Sequence, residues 1–230
     1  MRIITWNCNM AFRRKAGHIL GLEPDIVVVP ECECIDKLKF PTETKKPTSI
    51  LWFGKNVNKG LGIFSYGDTK LKLLKMHNPD LRMVVPVSVK STRYQFILYA
   101  IWAFNPDDPD GTYVEQVWKA IHYYEAHLKK KSTMLIGDFN SNTIWDKQYR
   151  QGNHSHVVEF LGQKRFTAPI IYTTTSGREK KSIRLCTCTA TKTNLITLII
   201  ALSRKTWQKT FIQSRSVILR NGPSIVTMCP

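Results

Sequence analysis

Short apolar runs alternate with two amphipathic stretches along most of the chain, and this alternation predicts an α/β domain. The β-branched run at 26–29 predicts a strand buried on both faces, and strands are also expected at 3–8 and 133–136. Apolar residues recur at helical spacing in 10–22 and 114–128, which predicts a helix at each place. Further strands are expected at 50–53, 61–66, 71–75, 83–89 and 94–103.

The connections between these elements predict how the strands pair. Turns with Gly, Asn and Pro separate the strands in the middle of the chain, which favours antiparallel neighbours there. The two helices are long enough to act as crossovers between parallel strands. We therefore expect a mixed sheet architecture rather than a purely parallel one. Loops are expected at 37–46 and 105–111, and Lys129–Lys131 complement a helix C-terminus.

Composition limits the class of protein. The chain has 230 residues, of which 43% are hydrophobic, so it has enough apolar side chains for a large core. No apolar run reaches the length of a membrane span, and the N-terminus lacks the apolar core of a signal peptide. We expect a cytoplasmic protein without a membrane partner. Without an export signal, its six cysteines are expected to be free thiols.

The positive charge is concentrated at the C-terminal end. Residues 1–161 contain 22 Lys and Arg against 16 Asp and Glu, whereas residues 162–230 contain 12 Lys and Arg and one acid, Glu179. A surplus of this kind usually indicates a polyanionic partner. The break in composition predicts two parts, a folded domain over 1–161 and a basic, poorly packed tail over 162–230.

Polar side chains follow three of the predicted buried strands at the points where the strands end. They are Asn7 and Asn9, then Glu31, and then Asp138, Asn140 and Asn142. Ligands of open α/β sheets collect beyond the strand ends, so we expect these side chains to converge on one cleft. Carboxylate and amide oxygens suit Mg²⁺, which keeps most of its waters. An Asp beside that ion can orient or deprotonate a water, and Asn amides can hold a phosphate oxygen.

Each of these features also has a purely structural interpretation. Glu31 is then a turn or cap residue, and Asp138 with Asn140 forms an Asx-rich turn. The Glu-Cys-Glu-Cys sequence that begins at Glu31 lacks the second, correctly spaced cysteine pair of a zinc site. His154 and His156 are more simply surface or helix N-terminal residues than metal ligands.

Three motifs taken together resemble the endonuclease/exonuclease/phosphatase superfamily, which has a deoxyribonuclease-like fold. They are Ile4-Thr5-Trp6-Asn7, Pro30-Glu31 and Gly137-Asp138-Phe139-Asn140. The resemblance implies a four-layer α/β sandwich that hydrolyses phosphodiester or phosphomonoester bonds with Mg²⁺ or Mn²⁺. It implies nucleic acid or another phosphodiester as the substrate, and DNA, RNA, nucleotides and lipid head groups all stay open.

The resemblance also implies a role for each matching residue. Asn7 would contact the metal or a phosphate, and Glu31 would be the principal metal ligand. Asp138 would position or activate the attacking water, while Asn140 would bind the scissile phosphate. Two further asparagines are expected to bind substrate, namely Asn9, which stands where some nucleases have Asp, and Asn142.

The C-terminal end departs from the family pattern. The family closes with an Asp in a strand, often within His-Ile-Asp-Tyr, and with a terminal Ser-Asp-His. Residues 162–230 contain neither His nor Asp, so the resemblance extends only to about residue 161. Half of the expected site is therefore missing, and the sandwich is expected to be incomplete at the C-terminus.

The genetic code offers an explanation for this departure. When the reading frame is shifted by two bases, the codons of residues 221–230 permit Trp-Ser-Lys-Tyr-Ser-Asp-His-Val-Pro. In the same frame, the codons of residues 194–202 permit Pro-Tyr-His-Ile-Asp-Tyr-Cys-Phe. Both missing motifs appear in the right order, so we interpret the tail as an out-of-frame translation that begins near Gly162. Its positive charge is then an accident of codon usage.

A second class of function stays open at this point. The chain would then be a non-enzymatic basic protein that binds nucleic acid through its tail by counterion release. Such a tail normally interleaves aromatic residues at regular spacing, whereas here Phe166, Tyr172, Trp207 and Phe211 are irregularly spaced. The irregular spacing of these aromatic residues favours the enzyme over the nucleic-acid-binding protein.

Limited proteolysis tests the division of the chain. We expect the first cuts beyond residue 161, because acids and strand periodicity are lost there. The fragments are identified by mass spectrometry. A protease-resistant tail would contradict the division.

Overall fold

The computed structural model describes residues 1–81, 83–130 and 133–162, together with the backbone of five short strands between residues 170 and 228. The helices are α1 (Phe12–Leu20), α2 (Val114–Tyr123), α3 (Glu125–Lys130) and α4 (His154–Gly162). The strands are β1 (Arg2–Trp6), β2 (Ile26–Cys32), β3 (Ser49–Asn56), β4 (Lys59–Ser65), β5 (Lys70–Leu73), β6 (Val84–Lys90), β7 (Gln95–Trp102), β8 (Thr133–Asp138), β9 (Ile170–Thr173), β10 (Leu185–Cys186), β11 (Thr197–Ala201), β12 (Val217–Ile218) and β13 (Ser224–Met228).

These strands form two mixed sheets. The first has the order β12-β13-β1-β2-β4-β3, and the second has the order β10-β9-β11-β8-β7-β6-β5. β1 pairs in parallel with both β2 and β13, and β8 pairs in parallel with both β7 and β11. The hairpins β3–β4, β5–β6 and β6–β7 are antiparallel. The expected mixed architecture is confirmed.

Successive residues of β1 and β2 point to opposite faces of the first sheet, and both faces are buried. Ile3 and Val28 pack between the sheets against residues such as Leu98. Their neighbours Ile4 and Val27 pack beneath α1 on the opposite face. Continuous β-branched runs suit strands of this kind, because every residue loses contact with water.

Three helices cover the outer face of the second sheet. Val117 and Ile121 of α2 and Val157 of α4 pack on Tyr99 and Leu135. The layers therefore run helix, sheet, sheet, helix, and the predicted four-layer α/β sandwich is confirmed over the residues that the structure describes. None of the described helices is long and apolar enough to cross a membrane.

The helix expected over 114–128 is wrong in one respect, because the structure divides it at Tyr124. Burial fixes this residue in the core, where its ring lies 5.3 Å from that of Tyr99. The Tyr124 hydroxyl also accepts a hydrogen bond from the backbone N–H of Asn78 at 3.0 Å. These contacts fix Tyr124 at the junction of α2 and α3, where backbone hydrogen bonds from Tyr124 to Ala120 and from Leu128 to Tyr124 continue the helical pattern.

Three cysteines in the described residues, Cys8, Cys32 and Cys34, are free thiols, as expected. Burial raises the pKa of Cys8 to about 12, despite the opposing charge of Lys15. This thiol therefore stays protonated at neutral pH.

Glu33 is a buried acid that closes the N-terminus of α1. Its carboxylate accepts hydrogen bonds from the backbone N–H groups of Phe12 at 2.7 Å and Arg13 at 3.1 Å, and it pairs with the Arg13 guanidinium at 2.8 Å. Ala11, at the N-cap, has no side-chain oxygen to do this. A distant residue thus supplies the negative charge that a helix N-terminus favours.

We expect Glu33→Gln to lower the free energy of unfolding by about 2 kcal/mol, because charge-assisted hydrogen bonds to the helix end are lost. Chemical denaturation at pH 7 measures this. Asp36→Asn, at an exposed acid nearby, is the matched control and should change stability by less than about 0.5 kcal/mol.

The same substitution predicts a pH dependence. Burial raises the pKa of Glu33, but hydrogen bonds from its own backbone, Arg13 and Phe12 outweigh burial, so the pKa lies below the usual 4.5. The stabilisation is complete above the usual pKa and is lost as pH falls through the lowered value. The difference between wild type and Glu33→Gln should therefore shrink below about pH 4.5. An unchanged difference in acid would contradict this assignment.

Candidate active site

The ends of β1, β2 and β8 bring three predicted site residues together. The Asn7 amide nitrogen donates to Glu31 Oε1 at 3.2 Å and to Asp138 Oδ2 at 2.8 Å. One nitrogen atom thus joins two carboxylates that come from different sheets. Both carboxylates are buried, with Glu31 and Asp138 each 4% exposed.

Glu31 reaches this position through an irregularity in β2. We expected it to follow the strand, whereas it lies within β2, where the pairing with β4 shifts register between Pro30 and Cys32. Its φ of 61° is in the left-handed region, which is strained for a residue with a long side chain. The bulge interrupts the alternation of side chains at the point where the carboxylate faces Asn7.

Asp138 is held from both sides. Its Oδ1 accepts the backbone N–H of Asn140 at 2.9 Å, while Oδ2 accepts the Asn7 amide. The Asx turn considered as an alternative is therefore present, and it orients the carboxylate within the site. The preceding Gly137 has a φ of 143°, and a Cβ there would lie 1.8 Å from the carbonyl oxygen of Ile101. Only glycine permits this close approach of β8 to β7.

The remaining predicted site residues have different surroundings. Asn140, with a φ of 44°, donates its side-chain amide to the Ala103 carbonyl at 3.1 Å. Asn9 is exposed, and its backbone N–H donates to Asn7 Oδ1 at 3.0 Å, which turns the Asn7 nitrogen toward the carboxylates. Asn142 caps the short 3-10 helix Thr143–Trp145 by accepting the N–H of Ile144. Their roles toward a metal or substrate stay predictions.

Lys59 is a residue of this site that the sequence pattern did not reveal. Its Nζ lies 3.6 Å from Glu31 Oε2, and 5.3 Å and 5.1 Å from the ring centroids of Trp102 and Phe104. The antiparallel pairing of β2 with β4 places Leu61 opposite Pro30 and Gly60 opposite Cys32, so Glu31 is the extra residue of the bulge and Lys59 lies just beyond this pairing, at the start of β4. The two strands are not consecutive in the chain, so only their register and the bulge at Glu31 would have revealed Lys59.

His154 and His156 lie at the start of α4, as the helix N-terminal interpretation expected. His154 is buried, and its Nδ1 lies 2.9 Å from the Ser141 hydroxyl. Burial lowers the pKa of His154, against the opposing charge of Asp146, so the ring is neutral at pH 7. The His156 ring packs on Trp118 at 5.7 Å. Both rings are engaged in packing and capping contacts of α4.

The donor set at the strand ends is one that hard cations prefer. Two buried carboxylates face each other across a single amide, and close like charges favour a cation between or beside them. No cluster of three or more His, Cys, Asp or Glu side chains forms a metal site within the described ranges. Mg²⁺ suits such a sparse set, because it is commonly held by one or two carboxylates and keeps several waters.

No family model and no curated protein matches this chain. Among solved structures, the endonuclease domain of TRAS1, a telomere-specific non-LTR retrotransposon, is similar at 14% identity and a TM-score of 0.47, covering 76% of this chain and 74% of that chain. An AP endonuclease from Archaeoglobus fulgidus is similar at 16% identity and a TM-score of 0.44, covering 77% and 79%. The 3'-5' exonuclease NExo from Neisseria meningitidis is similar at 19% identity and a TM-score of 0.34, covering 61% and 58%.

At TM-scores of 0.47 and lower, these likenesses carry no conclusion about the activity of this chain. The two sheets and their helices establish the fold, and the strand ends supply the chemistry.

Proposed function

We propose that this chain derives from a divalent-metal-dependent phosphoesterase that hydrolyses phosphodiester bonds, with nucleic acid as its substrate. The observation that supports this most directly is the Asn7 amide nitrogen, within hydrogen-bond distance of both Glu31 and Asp138 at the junction of the sheets. Buried carboxylates brought together from two sheets are costly to fold, and a metal-dependent site accounts for them.

Glu31 would hold the metal, with Asn7 beside it and Asp138 across the amide. A bound Mg²⁺ or Mn²⁺ supplies Lewis-acid polarisation of the phosphate and neutralises its charge. The ion pair between Glu31 and Lys59 holds the carboxylate oxygen in the site. These oxygen donors fit a hard cation and do not suit a soft one.

Asp138 would position the attacking water and accept its proton. Both of its oxygens are fixed by hydrogen bonds from Asn140 and Asn7, so the carboxylate is preorganised. Asn140 belongs to the same turn. Its side-chain amide donates to the Ala103 carbonyl and would exchange that partner for a phosphate oxygen of the substrate. Asn9 is exposed next to Asn7 and would contact the substrate, and Asn142 would do so from the loop after β8.

The backbone register supports the two-base shift of the tail. The segments whose shifted codons give the family motifs contain β11 and β13. β11 lies beside β8, and β13 lies beside β1 with Thr227 opposite Thr5 and Met228 opposite Trp6. In the shifted frame, Asp straddles the codons of Val226 and Thr227, and His straddles those of Thr227 and Met228. Both would then lie next to the strand end that carries Asn7.

We expect the 230-residue chain itself to be nearly inactive as a phosphoesterase. Losing a general acid or base costs roughly 10²–10⁴-fold in rate, and the partner carboxylate is missing as well. The measurement is hydrolysis of single-stranded DNA, RNA and a simple phosphodiester, with Mg²⁺ and with EDTA. Robust Mg²⁺-dependent hydrolysis by the 230-residue chain would refute the prediction that it is nearly inactive.

Restoring the shifted frame after about residue 161 should give a Mg²⁺-dependent hydrolase, because the repaired chain contains both halves of the site. Its rate should exceed that of the 230-residue chain by at least roughly 10²-fold. In the repaired chain, Glu31→Gln should abolish most of the gain, whereas Glu43→Gln, at an exposed acid in a loop, should retain it.

Two outcomes would contradict the proposal. A repaired chain that is no more active than the 230-residue chain would exclude the frameshift interpretation of the tail. Activity of the repaired chain that survives Glu31→Gln would exclude it as well. Hydrolysis by neither chain, with salt-sensitive DNA binding by the 230-residue chain alone, would favour the basic nucleic-acid-binding protein.

A further inference from the structure

A ladder of three aromatic rings leads from the site to the surface. The rings of Trp102 and Phe104 stack at 5.1 Å with an interplanar angle of 25°, and Phe104 lies 5.9 Å from Tyr113. Trp102 is the register partner of Asp138 and is 2% exposed, whereas Tyr113 is 45% exposed. The ladder therefore begins beside a site carboxylate and ends in solvent.

Lys59 connects this ladder to the other carboxylate. Its ammonium lies over the rings of Trp102 and Phe104 and forms the ion pair with Glu31. Lys59 and Tyr113 contact the same Phe104 ring, so one phenylalanine links a cation to an exposed aromatic side chain. An ammonium group binds a phosphate, and a tyrosine ring stacks on a base.

Exposed hydrophobic side chains occur in the connections between the strands and helices. The structure describes eight exposed large hydrophobic side chains, and seven lie outside the α-helices and strands, in connections that include the 3-10 helices Ile35–Lys37 and Thr143–Trp145. These seven are Met10, Ile35, Val57, Tyr113, Ile144, Trp145 and Tyr149. The eighth, Tyr123, lies at the end of α2.

We propose that Lys59, Phe104 and Tyr113 form a subsite for an unpaired nucleotide next to the scissile phosphate. The ammonium of Lys59 holds a phosphate of that nucleotide, and its base stacks on the Tyr113 ring. Because base faces are covered within a duplex, the subsite favours a single-stranded or locally opened strand. The choice of a nucleic-acid strand rests on the proposed function.

A nucleobase suits this subsite better than a lipid chain does. Trp102 and Phe104 stack, Phe104 lies against Tyr113 at a tilt of 42°, and a base offers a flat face of the same kind as these rings. The cation beside it complements the phosphate that every nucleotide carries. An anionic lipid surface is the competing source of phosphate, and the experiment includes it as a separate arm.

The test is metal-free binding by the 230-residue chain. In EDTA, fluorescence anisotropy compares a short single-stranded oligothymidylate with an abasic strand of equal length and charge. Tyr113→Ala should weaken oligothymidylate binding by roughly 5- to 150-fold and leave abasic binding unchanged. Tyr113→Phe should keep the preference for bases, and Tyr123→Ala, at another exposed tyrosine, should behave as wild type.

Lys59→Gln separates the phosphate contact from stacking. It should weaken binding of both strands alike and reduce the salt dependence by about one ion. Equal losses for Tyr113→Ala and Tyr123→Ala, or a base preference that survives Tyr113→Ala, would overturn the subsite. The subsite would also be overturned if Lys59→Gln and Tyr113→Ala lost binding to anionic phospholipid vesicles while their binding to the oligonucleotide was unchanged. The binding measurement involves neither a metal nor hydrolysis. Failure of the subsite can therefore be told apart from failure of the proposed hydrolase activity.

Discussion

The junction of the two sheets depends on one amide group. Asn7 places its nitrogen between the carboxylates of Glu31 and Asp138, and without it two buried negative charges would face each other directly. Burying an unpaired charge costs several kcal/mol, so the amide and the nearby ammonium of Lys59 are conditions for closing this end of the sandwich. The two buried carboxylates make this site costly to fold, and their negative charges also favour binding of a cation.

Backbone strain is concentrated around this junction. Asn9, Glu31 and Asn140 all have positive φ, and each stands at or beside a carboxylate or the amide that joins them. Such conformations cost about 1–3 kcal/mol each and persist only where the surroundings enforce them. Three apolar clusters, one between the sheets and one on the outer face of each sheet, hold these conformations in place because they fix β1, β2 and β8 on both faces.

Periodicity was sufficient for β1 to β8 and for the motifs at their ends, because burial on both faces leaves a clear signature in residues such as those of 26–29. It predicted none of the five strands between residues 170 and 228. It failed where a distant partner decides the local structure. Glu33 caps a helix that begins 21 residues earlier in the chain, and Tyr124, at the junction of two helices, is fixed by contacts with Tyr99 and Asn78. Lys59 was missed for the same reason, since its role follows from strand register rather than from its neighbours in sequence.

The pairing of β1 with β13 has a consequence for how fast the sandwich closes. β1 occupies residues 2–6 and its parallel partner occupies 224–228, so this contact joins two strands that lie more than 200 residues apart in the sequence. Non-local parallel pairing of this kind is slow, because the whole intervening chain must be closed into a loop before the contact forms. Until then one edge of β1 stays unpaired beside Asn7, and an unpaired strand edge is a template for aggregation.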